Sequence, residues 1–143
     1  MRLNERESLK RFRAARVARL ATVSAAGEPH IAPVTFAVGP DPANPVVVIA
    51  IDHKPKTTMN LQRLRNIAAT GRASILADVY DDDWTQLWWV RLDGSARVLT
   101  EETERAEPVT LLRTKYPQYQ QDPPTGPVIR IDVESITGWS YSG

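Results

Sequence analysis

The sequence contains no cysteine, which excludes disulfides, thiolate metal sites and cysteine nucleophiles. It also lacks an excess of either charge. Eighteen basic residues face 17 acidic ones, for a formal net charge of +1, so the basic surplus of a dedicated nucleic-acid binder is missing and any anion site must be local. Histidine is scarce: His30 and His53 are the two in the chain, and no third ligand is evident for a metal. No stretch approaches the roughly 20 apolar residues of a membrane span. The opening "MRLNERESLKRFRAARVARL" is charged throughout and has no apolar centre of the signal-peptide kind. A cytoplasmic protein with no membrane or nucleic-acid partner is expected. What is present is sufficient length: 143 residues fit one domain, residues 1–143, large enough to bury a core unaided.

Periodicity orders the chain. Residues 4–16 carry a helical pattern, with Leu9 and Phe12 at helical spacing and Asn4 as a cap before Glu5 and Glu7. "VARLATVS" (17–24) predicts a strand, and Ala25 to Glu28, with Gly27, a hairpin turn. In the return strand His30, Ala32, Val34, Phe36 and Val38 share one face, and Ile31, Pro33, Thr35 and Ala37 the other. Pro29 and Pro33 place that strand near an edge or a bulge, because proline cannot donate to a ladder. "VVVIAID" (46–52) is a continuous apolar run, typical of a strand covered on both faces. Strands follow at 72–80 and 84–99, the second bent at Asp93 and Gly94, then a helix from Thr100 to Tyr116, a loop, and a last strand carrying Ile129, Ile131 and Val133. This order predicts a mainly β fold with peripheral helices (α+β), a six-stranded antiparallel barrel.

One stretch carries chemistry. In "DHKPKTTMNLQRLRN" (52–66), Lys54 and Lys56 follow the buried strand, and Thr57 or Thr58 can cap a helix whose Leu61, Leu64, Ile67 and Ala68 form an apolar stripe. Free N–H groups and the positive end of the dipole favour an anion at such a helix start, and two ammonium groups would add to it, with phosphate the obvious candidate. The spacing is equally compatible with a solvated turn.

Other residues offer less. Asp81 to Asp83 lie at a hairpin tip without fixed ligand spacing, so no metal site is expected. No serine stands in a nucleophile-elbow context, and Tyr80 is a conceivable proton donor that nothing in the sequence places at a substrate. Along "WTQLWWVRL", alternation puts Trp84, Trp88 and Val90 on one face and Leu87, Trp89 and Arg91 on the other. One face can line the core. The other must meet a helix, a cofactor or a partner.

The segment 46–99, the hairpin "RLATVSAAGEPHIAPVTFAV" and the terminal "ITGW" together resemble the split β-barrel flavin and deazaflavin oxidoreductases, the superfamily that contains pyridoxamine phosphate oxidase, and within it the actinobacterial F420-dependent branch. The resemblance covers roughly residues 8–140 and implies an FMN-binding-like split barrel. It implies that Lys54, Lys56 and Thr57 grip a cofactor phosphate, and that Pro33, Val34 and Thr35 with Ile49, Ala50 and Ile51 contact the ring. The commoner family pattern has two residues between lysine and Asn-Leu, whereas three separate Lys56 from Asn60. The implied function is hydride transfer between coenzyme F420 and a small organic substrate, in a homodimer with the cofactor at the interface. The alternatives are FMN as cofactor, or a non-catalytic carrier. The protein need supply no catalytic side chain, since the cofactor carries the reaction. The longer acidic tail of F420 would call on further cations, with Arg11, Arg13 and Arg16 as candidates.

Overall fold

The computed structural model describes residues 1–51 and 61–142. The first helix, α1 (Glu5–Ala14), starts where the sequence predicts: the Asn4 Oδ1 accepts from the Glu7 N–H at 2.8 Å, satisfying one of the donors that a helix start leaves open. Strands β1 (Ala18–Val23) and β2 (Pro29–Val34) form the expected hairpin, turning through Gly27 at φ 84°, a conformation that glycine adopts without a Cβ clash. The remaining elements are β3 (Phe36–Val38), β4 (Val46–Ala50), α2 (Gln62–Thr70), β5 (Arg72–Val79), β6 (Trp88–Leu99), α3 (Glu102–Lys115), α4 (Pro117–Gln121) and β7 (Val128–Ser140).

All strands belong to one antiparallel sheet of order β2-β1-β5-β6-β7-β4-β3. It has seven strands where the sequence predicts six, because the run 29–38 is interrupted at Thr35. The interruption has a side-chain cause. The Phe36 N–H donates to the Tyr116 hydroxyl at 3.1 Å instead of to a ladder, and the Thr35 hydroxyl shares a 2.7 Å hydrogen bond with that of Tyr119. The chain is thereby peeled from β1 and handed to β4. A single residue thus joins the two edges of the sheet, and a twisted sheet meets that condition only by curling on itself into a half-barrel.

The curl encloses an inner core that includes Leu20, Phe36, Ile49, Ile75, Leu92 and Ile131, closed at one end by α1 through Phe12. The Phe12 and Phe36 ring centroids are 4.7 Å apart. A second core lies outside the barrel, where α3 lays Leu112 and Tyr116 over Ala37, Val48, Ala50, Leu99 and Val128. Strand β4 is therefore buried on both faces, as its unbroken apolar run predicts.

Three elements depart from the sequence reading. Helix α2 is described from Gln62, after Leu61 and with no side-chain cap there, while Thr57 and Thr58, the expected caps, lie outside the described residues; it buries Asn66 beside Leu64 and Ile67 while Ala68 is exposed. Asn66 fits because its Nδ2 donates to Thr22 Oγ1 at 3.0 Å and its Oδ1 accepts from Gln62 Nε2 at 2.6 Å. The strand expected from residue 84 starts at Trp88, since Trp84–Gln86 form a short 3-10 turn capped by Asp83; Trp84 leaves the sheet and is exposed, and Leu87 is buried ahead of the strand. Helix α3 starts without a side-chain cap, and the segment after it, expected as loop, contains α4, which opens on Pro117 at a position where proline suits a helix start.

Candidate functional site

The outer face of the sheet presents a large apolar surface on which the register places polar pairs in a regular arrangement. Alternation in β5 sends Ala73, Ile75 and Ala77 inward and Ser74, Leu76 and Asp78 outward. Register then assembles rows across four strands: Pro33, Arg19, Leu76 and Arg91 in one, and Ile31, Ala21, Ser74 and Asp93 in the next. Trp89 stands opposite Asp78. The result is a groove of about 440 Å³ with an apolar floor of Ala21, Ile31, Leu76 and Trp89. Ile31 is 67% exposed in the single chain.

Charged pairs flank that floor. Arg19 reaches Asp78 at 3.4 Å, and Arg91 Nε donates to Asp93 Oδ2 at 3.0 Å. Burial pushes the Asp93 carboxyl up, but hydrogen bonds from Ser74, Arg91 and Ser135, with the Arg91 charge, outweigh it and hold the group below the usual carboxylate range. Asp93 is thus a fixed anion that leaves its neighbours' donors satisfied. The floor can take a flat aromatic ring or the matching face of a second chain, since it offers apolar area with few unpaired polar groups.

The residues implicated by resemblance fall into three environments. Pro33 is exposed in the row that borders the groove, and Thr35 is half-buried against Tyr119. Val34, Ile49 and Ile51 point into the inner core, and Ala50 into the second, so the side chains of these four are packed away from the surface. Lys54, Lys56, Thr57 and His53 lie outside the described residues. His30 shares the inner face with Thr22, and its Nδ1 is buried without a hydrogen-bond partner. Asp81 and Asp83 are used in turns: Asp81 accepts from the Asp83 N–H at 2.8 Å, and Asp83 from the Thr85 hydroxyl at 2.6 Å. Tyr80 stands at the groove, 75% exposed. Sequence reasoning missed Arg19, Leu76 and Asp78, although for the last two the period-two pattern in "RASILADV" was the available signal.

The three arginines considered for an acidic tail are divided by the structure. Arg11 lies over the Trp88 ring at 5.9 Å, Arg13 donates to the carbonyls of Val38 and Gly39, and Arg16 lies over the Tyr116 ring at 4.9 Å. Arg13 and Arg16 meet Lys115 there, at the end of α3. Burial lowers the Lys115 ammonium, with help from the Arg16 and Arg13 charges, to about 8. Between pH 8 and about 10 the unfolded chain then binds more protons than the native one, so this group makes stability rise with pH. Tyr116, which burial raises above its usual value near 10, opposes the trend above that pH. A urea-midpoint profile should climb from pH 8 to 9.5 in the native protein and lose that component in K115M; parallel profiles would contradict the assignment.

Comparison with known proteins bears on what such a sheet face is for. The pyridoxamine 5'-phosphate oxidase family profile matches residues 5–140. The chain belongs to the pyridoxamine 5'-phosphate oxidase family. Among solved structures, a protein of unknown function from Corynebacterium diphtheriae is similar at 24% identity and a TM-score of 0.68, over 96% of this chain and 94% of that one. An FAD-binding protein from Mycobacterium smegmatis is similar at 21% identity and a TM-score of 0.63, over 97% and 96%. An FAD-binding protein from Mesorhizobium loti is similar at 20% identity and a TM-score of 0.68, over 96% and 95%. At these identities the likeness is one of fold. No curated protein matches in sequence. Among the described residues no helix is long and apolar enough to cross a membrane, and no three His, Asp or Glu side chains are grouped to hold a metal ion.

Proposed function

We propose that the protein is an oxidoreductase that binds the deazaflavin coenzyme F420 on the outer sheet face and transfers a hydride between it and a small organic substrate. The observation that carries this reading is the open apolar groove between the Arg19–Asp78 and Arg91–Asp93 pairs. Its size falls within the range of ligand sites, roughly 300 to 1,000 Å³. The residues present fit a tricyclic ring: Trp89, Leu76 and Ile31 offer apolar contact, and the edge strand β2 carries backbone groups that no further strand among the described residues pairs with. When bound, the coenzyme supplies the hydride chemistry; the chain's part is to seat it, orient it and keep water away. Lys54, Lys56 and Thr57 would hold the phosphate, as the family resemblance implies. A second copy of the chain laid over the exposed floor would complete the site as a homodimer and bury Ile31, since a surface this apolar on one protomer is an interaction site by the ordinary rule.

The second reading keeps the fold and the site but uses a flavin, FMN or FAD, and the two FAD-binding structural relatives favour it. Titration of the purified protein with F420, FMN and FAD, followed by cofactor fluorescence, separates them. Tight binding of F420 with weak binding of the flavins is expected. Binding of a flavin alone would replace the first reading with the second, and binding of none would remove both. In K54A/K56A the affinity for whichever cofactor binds should drop about tenfold or more, the loss of about 1.4 kcal/mol that a weakened charge-assisted contact entails; an unchanged affinity would take the lysines out of the site.

A further inference from the structure

The junction of α1, α3 and α4 has a charge balance that the groove does not explain. Arg13, Arg16 and Lys115 are near enough to depress the Lys115 ammonium, yet among the described residues no carboxylate lies within ion-pair distance of any of them. Their known partners are neutral. Arg13 donates to the Val38 and Gly39 carbonyls, Arg16 to that of Lys115, and Lys115 to that of Ala15 at 2.6 Å while lying 3.6 Å from the Phe36 ring centre. Two helix C-termini, of α1 and α3, meet here and contribute about half a negative charge each. Against three cations, that leaves about two positive charges without a counter-ion among the described residues.

Beside this cluster is a cavity of about 410 Å³ lined by Arg16, Thr35, Tyr116, Gln118 and Tyr119. Among the described residues no acidic side chain lines it. Its polar groups are mostly spare donors. The Tyr116 hydroxyl is spoken for, since it accepts from the Phe36 N–H and donates to the Arg16 carbonyl at 2.9 Å. The Thr35 and Tyr119 hydroxyls share one hydrogen bond at 2.7 Å, so one of their two O–H hydrogens stays available. Arg16 has five N–H donors, of which one reaches the Lys115 carbonyl, and its guanidinium carbon lies over the Tyr116 ring at 4.9 Å from the centroid. A guanidinium, a hydroxyl and a side-chain amide converging beside surplus positive charge are suited to an anion with two or more oxygens.

We propose that this cavity is a second ligand site, which binds a small oxyanion, a carboxylate or a phosphoryl group, through Arg16, the Thr35 and Tyr119 hydroxyl pair and Gln118. The site does not depend on what occupies the sheet groove. Calorimetric titration of the full chain with malonate and with inorganic phosphate, at pH 7 and constant ionic strength in sodium chloride, tests it. Saturable binding of at least one is expected, malonate alone marking a carboxylate site and phosphate alone a phosphoryl site. R16Q should weaken that binding tenfold or more, and Y119F, which keeps the ring, severalfold. Circular dichroism of both variants should match the native protein, since Arg16 is exposed and Tyr119 keeps its packing. Absence of saturable binding for both anions, or binding that neither variant changes, would overturn the site.

Discussion

Replacing Gly94 with alanine is expected to lower stability by about 3 kcal/mol, the upper part of the usual range for forcing an atom into a filled space. An added Cβ would stand 2.0 Å from the Asp132 carbonyl oxygen and 3.1 Å from the Val133 Cα, which are main-chain atoms of β7 and have no rotamer to retreat into. The two strands would have to part. They would part where the register already shifts, between Asp93 and Gly94, so the bulge that bends β6 over the barrel would be lost with the ladder around it. Asp93 precedes the glycine, and its hydrogen bonds to Ser74 and Ser135 tie three strands of the outer face together. Cofactor affinity should therefore fall along with the urea midpoint. A G94A protein with the native midpoint would show that β7 can give way, and the account of the bulge would be wrong.

The second large effect is expected from Phe12→Ala, at about 3 to 5 kcal/mol. Phe12 has no exposed surface, and with Leu9 it is how α1 closes the inner core, its ring packed against Phe36. Removing the ring leaves a cavity between a helix and a curled sheet, and neither can move in to fill it without giving up other contacts. Two of those contacts are the Arg13 hydrogen bonds to Val38 and Gly39, which pin the end of the helix one residue further on. Denaturation in urea should show a much lower midpoint with a similar slope. A loss below about 1 kcal/mol would mean that the helix collapses onto the sheet and that the core is less constrained than its burial indicates.

Much of this architecture was legible in the residues themselves. Asn4 announced α1, Gly27 the first hairpin, the apolar run 46–52 a strand buried on both faces, and Pro29 with Pro33 an edge or a bulge, of which the structure shows the edge. Each of these signals is local, set by a cap, a dihedral angle or a two-residue period. The break at Thr35 was not legible. It depends on hydroxyls of Tyr116 and Tyr119, some eighty positions away, taking over hydrogen bonds that a continuous strand would have used. The same distance hid the groove and the cationic junction, because Arg19, Leu76 and Arg91, or Arg16 and Lys115, become neighbours through register and helix docking. Alternation could reveal that β5 has an outward face; it could not reveal what stands beside it.

The prolines of β2 also bear on how copies of this chain can associate. A ladder tolerates proline where its nitrogen faces away from the neighbouring strand, so Pro29 and Pro33, both paired with β1, put their missing N–H groups on the free edge of the sheet. Strand-by-strand extension, the usual route from an open edge to fibrils, finds donors absent at two of the three residues, Pro29, Ile31 and Pro33, whose nitrogens alternation turns to that edge. Self-association through that rim is thereby disfavoured, and the homodimer proposed above would use the flat of the sheet instead, closing at two copies because a covered face cannot recruit a third.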